Sequence, residues 1–328
     1  MILITGGAGY IGSHCAINFL NAGYEIAVFD NLENGHIETI NTLKTIGKVN
    51  FIKGDLKNRE EIRNVFKTYN IDAVIHFAGY IEVTESVQNP SKYYRNNIIG
   101  SLNLFDAMVE FSVKYIVFSS TCSIYGDAKY TPINENHPIN PINPYGKTKL
   151  IIENILEDYD KAYGIKSVCL RYFNAAGADS KIRLGETHSP ETHLIPNILK
   201  SIFEEDKTFK IFGTDYNTPD GTCIRDYVNV EDLAQAHRLA YLYLQGNNKS
   251  DCFNLGSEKG TSVKEVFDTA KKITGKEIKY QNAPKRQGDT PILYADSSKA
   301  RKILGWQANK TIEESIKSAY EWEKFLRQ

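Results

Sequence analysis

Residues 2–14 read ILITGGAGYIGSH: an apolar run, glycines at Gly6, Gly9 and Gly12, and the start of a helical pattern. Ile11, Cys15, Phe19 and Leu20 recur at the spacing of one helix face, and Gly23 stands where that helix would stop. Glycines between a first strand and a first helix let backbone amides approach a pyrophosphate, because the helix N-terminus has unpaired N–H groups and a dipole that favours negative charge. Glycine is common in turns, so the triplet alone says little. Its place between strand and helix reads as a dinucleotide-binding turn, with Tyr10 and Ile11 beside it. The fold class that follows is α/β, a Rossmann-type doubly wound parallel sheet.

Working outward, ILITGG is followed by EIAVFDN, NFIKGD, DAVIHFAG, KYIVFSST and KSVCLRYFN, each bounded by Gly, Asn or Asp and separated by helix-period segments. That rhythm belongs to βαβ units on a parallel sheet. Asn58, with Glu61 three residues on, resembles a capping box opening one of the helices. The wound sheet extends to about Asn174, giving a first domain over residues 1–174. Residues 177–193 and 213–226 are rich in Pro, Gly, Asp and Thr, as in a smaller α/β substrate-binding domain over residues 175–328, some segments of which return to the first. Asp30 ends the second strand about twenty residues after the glycines, where an acid accepts hydrogen bonds from ribose hydroxyls. Asn31 to His36 contain no Lys or Arg to hold a 2′-phosphate, so NAD is expected rather than NADP. Asp55 ends the third strand at the same sheet edge.

The 328 residues carry 39 Lys plus Arg against 40 Asp plus Glu, a formal charge of −1. No global field draws the chain to nucleic acid or to an anionic membrane, so an anion must be held locally. No apolar run approaches the ~18 residues of a spanning helix, and the chain enters a strand without a basic leader, which reads as a soluble cytoplasmic protein. Cys15, Cys122, Cys169, Cys223 and Cys252 form no CxxC pair and are expected to be small buried apolar residues.

Residues 143–154, NPYGKTKLIIEN, carry the candidate chemistry. Asn143 can cap a helix, Pro144 fits its first turn, and Leu150, Ile151, Ile155 and Leu156 supply a buried stripe before Gly164. Tyr145 and Lys149 then lie one turn apart on one face, where a fixed ammonium favours the phenolate of a tyrosine serving as base. The pairs Tyr125 with Lys129 and Tyr320 with Lys324 share the spacing, but only Tyr145 follows a wound-sheet strand and opens a helix. The strand before it ends in FSSTCSIYG, whose hydroxyls cluster at the sheet edge. One of them can share a substrate proton with the tyrosine, and Ser119 and Ser120 read as strand-end capping.

TGGAGYIGSH, DNLENG, GDL, HFAG, ESVQNP, YYRNN, FSSTCSIYG, NPYGKTK, LRYFNAAGA, FGTDYNTPDGTCIRDYV and APKRQGD run end to end along the chain. Together they resemble the extended short-chain dehydrogenase/reductases, and most closely the UDP-glucose 4-epimerases. The resemblance implies that UDP-galactose is oxidised at C4 with bound NAD as acceptor, that the 4-keto sugar turns over, and that it is reduced from its other face. It makes Tyr145 the proton carrier, Thr121 the catalytic hydroxyl, and Lys149 the holder of the nicotinamide ribose. Through the matched motifs, Asn31, Asn34, Gly35, Leu56, Phe77, Ala78, Gly79, Asn97 and Tyr172 line the cofactor. Asn174, Phe212, Arg225, Arg286 and Asp289 hold the uridine diphosphate. The resemblance also implies a homodimer through two paired helices of the sheet domain.

Three departures from the family pattern bear on the site. Ile81 stands where these epimerases often carry a cofactor-reaching Lys, with Thr84 close by in YIEVTESV. Thr192, His193 and Leu194 replace Asn-Asn-Leu, which leaves uridine diphosphate contacts to the backbone or to His193. By the resemblance, the position that gates 2-acetamido groups falls at or next to Leu293, where leucine leaves N-acetylated UDP-hexoses possible as a dual-specificity alternative. Glu186, His188, Glu191 and His193 alternate in GETHSPETH, but a Pro-containing loop gives such ligands no regular frame, so no metal is expected. Cys122 and Ser123 follow the catalytic hydroxyl where 4,6-dehydratases place acids, which argues against dehydration. A non-catalytic NAD-binding sensor is the alternative from another class, and it has no use for Thr121, Tyr145 and Lys149 together.

Overall fold

The computed structural model of the chain describes residues 1–204, 206–286 and 289–328. Strands β1 (Ile2–Thr5), β2 (Ile26–Asp30), β3 (Val49–Lys53), β4 (Ala73–His76), β5 (Tyr115–Thr121) and β6 (Lys166–Tyr172) form at the six runs read from the sequence. All six pair in parallel, in the spatial order β6, β5, β4, β1, β2, β3, and the strand Asp251–Leu255 adds beyond β6 as the seventh. β1, β2 and β4 are buried at every residue, because helices cover both faces and each side chain meets a core. The order reverses between β1 and β4. At such a switch point the loops leaving the carboxyl ends of the strands diverge and open a crevice.

Helix α1 (Tyr10–Asn21) packs against the helix Val230–Asn247, and Cys15 and Phe19 of the first join Leu233, Ala240 and Phe253 in one core with Ile4 and Val28. Residues 230–255 thus complete one face and one edge of the N-terminal sheet although they come late in the chain. The remaining C-terminal residues build a four-stranded sheet from Asn174–Ala176, Ile224–Asn229, Gly260–Ser262 and Ile292–Leu293, beside a two-stranded sheet of Phe209–Phe212 and Tyr280–Ala283. The helices Leu194–Phe203, Val263–Thr274 and Ile312–Phe325 share a second core around Ile198, Phe267 and Ile316. All five cysteines are free thiols, four of them buried and Cys252 half-buried.

Two local readings change. Asn58 accepts from the Glu60 N–H at 3.2 Å, whereas Glu61 turns back to the Asp55 N–H and the Asn58 side chain, both at 2.8 Å. The helix is capped, but the reciprocal backbone bond of a capping box is missing. The helix Pro144–Tyr163 starts as read, with Asn143 accepting from the Gly146 N–H at 2.8 Å, and stops at Gly164, whose φ is +70°. Its buried face, however, is Thr148, Lys149, Ile152 and Leu156, while Leu150, Ile151 and Ile155 are half-buried. The inner positions of its first turns go to polar side chains because those turns face the crevice. Among the described residues no helix is long and apolar enough to cross a membrane.

Candidate active site

Of the three glycines in the first turn, two are demanded by the protein itself. Gly6 has φ +72°, and a Cβ there would lie 2.7 Å from the Ala78 nitrogen; at Gly12 a Cβ would lie 2.3 Å from the Gly6 oxygen. Gly9 differs, since the nearest protein atom to a Cβ would be 3.4 Å away. The space it leaves faces a cleft lined by Ala8, Asn34, His36 and Thr187. α1 has no side-chain cap and no acid in its first turn, so its leading N–H groups are left for a ligand. This cradle fits the pyrophosphate of a dinucleotide.

Asp30 sits beside it, buried, with its carboxylate accepting the Ala8 N–H at 3.0 Å and the Leu32 N–H at 2.9 Å. Burial raises its pKa and those two bonds oppose the rise, leaving lone pairs for ribose hydroxyls. Gly35 packs against Ala8 and the Asp30 carboxylate, and Asn31 accepts the Glu33 N–H at 2.9 Å. Asp55 accepts the Lys57 N–H at 2.8 Å, and buried Leu56 is held through its carbonyl by Asn103. Tyr10 spends its hydroxyl on the Gly177 oxygen at 2.6 Å, tying α1 to the C-terminal half, and Ile11 packs at the edge of the core.

On the other side of the switch point, Phe77 and Ala78 donate their N–H groups to the Thr5 oxygen at 2.9 and 3.1 Å, and Gly79 follows. Asn97 accepts the Tyr80 N–H at 2.9 Å and donates to the Tyr80 carbonyl and the Thr148 hydroxyl, both at 3.1 Å. Its side chain therefore clamps the loop after β4 to the helix that carries Tyr145. Ile81 is 39% exposed, and Thr84 is exposed as well. Tyr80 next to Ile81 donates to Glu33 at 2.7 Å, with the Lys92 ammonium 4.3 Å above its ring.

β5 delivers Thr121 and the helix Pro144–Tyr163 delivers Tyr145 and Lys149 to one point of the crevice. The Thr121 hydroxyl accepts the Ser123 N–H at 3.1 Å and lies near enough to the Tyr145 phenol to oppose the rise in its pKa. Lys149 is buried, with its ammonium 2.9 Å from the Ser119 carbonyl and 5.9 Å from the centre of the Tyr145 ring. Burial lowers its pKa to about 8, against the charge of Glu153. Burial likewise raises Tyr145, against the neighbouring Thr121 hydroxyl. The expectation that Lys149 brings the phenol toward neutrality is not met in the chain alone, because the ammonium rests on a carbonyl and desolvation outweighs it.

Ser119 and Ser120 do not cap the strand. Ser119 Oγ bonds the Tyr172 hydroxyl, and Ser120 Oγ bonds Glu153. Glu153 pairs with Arg171 at 2.5 Å, both side chains more than nine-tenths buried, and Arg171 reaches the Tyr125 hydroxyl at 3.1 Å. Sequence reasoning missed Glu153. Its signal was the register Tyr145, Lys149, Glu153, each four residues after the last, which puts all three on one side of a helix.

Deeper in the C-terminal half, the Arg286 guanidinium lies 3.9 Å above the Phe212 ring. Arg225 donates to the Thr290 carbonyl at 2.6 Å and approaches Asp289 at 3.7 Å. Two guanidiniums, an aromatic face and one acid thus gather around a single loop, although Gln287 and Gly288 of APKRQGD lie outside the described residues. Asn174 donates to the Asp226 carbonyl at 2.9 Å, and half-buried Leu293 packs with Cys122 and Tyr125. Leu194 opens its helix with a half-buried side chain. His193, just before it, has its Nδ1 against the Glu186 carboxylate, which leaves that nitrogen engaged within the protein. That pair holds Glu186 low and His193 high in pKa, each through the charge of the other and against burial. The Pro-containing loop does bring Glu186, His188, Glu191 and His193 together, contrary to the expectation that it offers them no frame.

Residues 3–319 match the family model described as GDP-mannose 4,6 dehydratase. The chain is 48% identical over 324 residues to the UDP-glucose 4-epimerase of Lactobacillus helveticus, covering 98% of this chain and 97% of that protein. The chain belongs to the family of the UDP-glucose 4-epimerases. Its fold overlays the UDP-glucose 4-epimerase of Brucella ovis in complex with NAD with a TM-score of 0.93, at 42% identity over 98% of this chain and 97% of the other. A UDP-Glc/GlcNAc 4-epimerase from Campylobacter jejuni gives a TM-score of 0.87 at 42% identity, covering 99% of each chain. Membership in this epimerase family agrees with Cys122 and Ser123, which offer no carboxylate for dehydration.

Proposed function

We propose that the protein interconverts UDP-galactose and UDP-glucose by oxidation and re-reduction at sugar C4 with tightly held NAD. The observation that carries this reading is the convergence of Thr121, Tyr145 and Lys149 at the carboxyl end of β5, across the switch point from a glycine cradle shaped for a pyrophosphate. Gly6, Gly9, Gly12, Asp30, Asp55 and the turn Phe77–Gly79 would hold the cofactor, with Lys149 and Tyr172 on its nicotinamide side. Bound NAD supplies a two-electron acceptor and donor for C4 and, in its oxidised form, a positive charge that favours the Tyr145 phenolate.

The protein's own groups do the rest. Tyr145 takes the proton of the 4-hydroxyl, directly or through Thr121, and returns it once the keto sugar presents its other face. Lys149, whose pKa burial lowers to about 8, would leave the Ser119 carbonyl for a ribose hydroxyl and add its charge beside the phenolate. Arg225 and Arg286 neutralise the diphosphate while Phe212 packs near it, so the nucleotide stays anchored as the hexose turns. A second reading, that N-acetylated UDP-hexoses are also taken, is favoured by half-buried Leu293 beside Cys122, a smaller side chain than an aromatic one.

We further propose a cytoplasmic homodimer. Exposed Val87, Ile99 and Tyr163, on or beside the helices of the sheet domain, offer apolar surface to a second copy, and light scattering of the purified protein measures its mass.

The test of the reaction is proton NMR of UDP-galactose and, separately, UDP-N-acetylgalactosamine with purified protein and no added NAD. Conversion of UDP-galactose is expected, and failure even with NAD supplied would refute the reading. Tyr145→Phe should lower turnover at least about 10³-fold while retaining NAD, and near-normal turnover would remove Tyr145 from proton transfer.

A further inference from the structure

Glu186, His188, Glu191 and His193 have no step in the proposed reaction, yet each offers one donor atom, and these atoms all lie within 4.8 Å of one another. Glu186 Oε1 faces two imidazole nitrogens at once, His188 Nδ1 at 2.9 Å and His193 Nδ1. Glu191 Oε1 accepts the N–H groups of Thr192 at 2.9 Å and His193 at 3.0 Å, which fixes the carboxylate. Its Oε2 is buried and makes no hydrogen bond, and His188 Nδ1 is buried with the Glu186 oxygen at 2.9 Å but outside hydrogen-bond geometry; the Glu191 side chain is only 3% exposed. The nearest cation to that oxygen is Lys200, 3.5 Å away. The Trp322 indole donates to the Glu186 carbonyl at 3.1 Å and anchors the other end of the loop. The Glu191 oxygen and the His188 nitrogen are thus buried, each with a charged neighbour but no hydrogen bond, and two more donor atoms lie beside them, an arrangement that one cation would satisfy.

We propose that these four residues bind one zinc-type divalent transition-metal ion as a closed structural site. Two imidazoles and two carboxylates form the N/O donor set of such ions, and they match the double charge of the ion with two negative ligands. Magnesium and calcium ask for about six or more oxygen donors, which this loop does not provide. Four protein ligands leave no open position, so the ion would act on structure. It would pin the loop that places Thr187 and His188 beside Gly9, and Thr192 on Glu82 at 2.8 Å, to the start of the helix Leu194–Phe203.

The proposal stands apart from the reaction and is read by metal content rather than turnover. Tag-free protein is stripped with chelator, dialysed and titrated with zinc against a competing dye, and separately with cobalt(II) followed by visible absorption. Stoichiometric zinc binding and an intense tetrahedral cobalt spectrum are expected. His188→Ala and Glu191→Gln should each weaken binding at least about 100-fold with the far-ultraviolet circular dichroism unchanged. If one variant fails to fold, the other carries the test. Absence of stoichiometric binding by the folded stripped protein, an octahedral cobalt spectrum, or undiminished binding by the folded variants would each overturn the proposal.

Discussion

Tyr145 and Lys149 are both displaced from their ordinary pKa values by the same cause, burial, and in opposite directions. The pair is therefore built to change when positive charge and hydrogen-bonding hydroxyls arrive beside it. Lys149 also makes the site destabilising. Its pKa falls from 10.5 to about 8 on folding, so the unfolded chain binds more protons between those values. The penalty is fully present below about pH 8 and is relieved as pH rises toward 10.5, with an upper size of roughly 3 kcal/mol. Replacing Lys149 by Met should abolish turnover yet stabilise the protein by about 1–3 kcal/mol near neutrality, less the bond lost to the Ser119 carbonyl. In urea melts, that advantage should shrink between about pH 7.5 and pH 9.5; a constant or growing advantage would contradict the assignment of the penalty to a buried ammonium.

At the scale of elements, the first turn separates what the fold needs from what the ligand needs. Gly12→Ala would drive a Cβ to 2.3 Å from a backbone oxygen and should cost about 1–3 kcal/mol in a thermal melt. Gly9→Ala meets the protein at 3.4 Å, so its melt without cofactor should stay within about 0.5 kcal/mol while retained NAD falls. Equal destabilisation by the two would mean that Gly9 is structural. This turn and the six strands were legible in the sequence because backbone geometry demands glycine and a doubly covered parallel strand demands an apolar run. The strand Asp251–Leu255 was not, since DCFNL is short and half polar and its pairing with β6 is a tertiary matter more than seventy residues away. The inner face of the helix Pro144–Tyr163 was misread for a related reason. Thr148 and Lys149 take positions that an apolar pattern cannot foresee, because they face a crevice rather than a core. Arg225, Arg286 and Phe212 were placed by resemblance alone; nothing in their spacing brings residues 212, 225 and 286 together before the chain folds.

Across the whole molecule, a formal charge of −1 leaves anion binding to local groups, and the fold gathers Arg225 and Arg286 within the C-terminal half. The halves are not separable. Helix Val230–Asn247 and strand Asp251–Leu255 cover α1 and the β6 edge, so a fragment of residues 1–174 exposes Cys15, Phe19 and an unpaired strand. That fragment should show no cooperative thermal transition and should aggregate; a soluble, cooperatively melting fragment would contradict the packing described. The central claim is that one carbon loses and regains the same hydrogen within one closed site. The most direct measurement is therefore conversion of UDP-galactose deuterated at C4, with the product examined by NMR and the solvent by mass spectrometry. Deuterium retained at C4 of UDP-glucose, with none in water, is the expected result, and deuterium washed out into solvent would contradict the account.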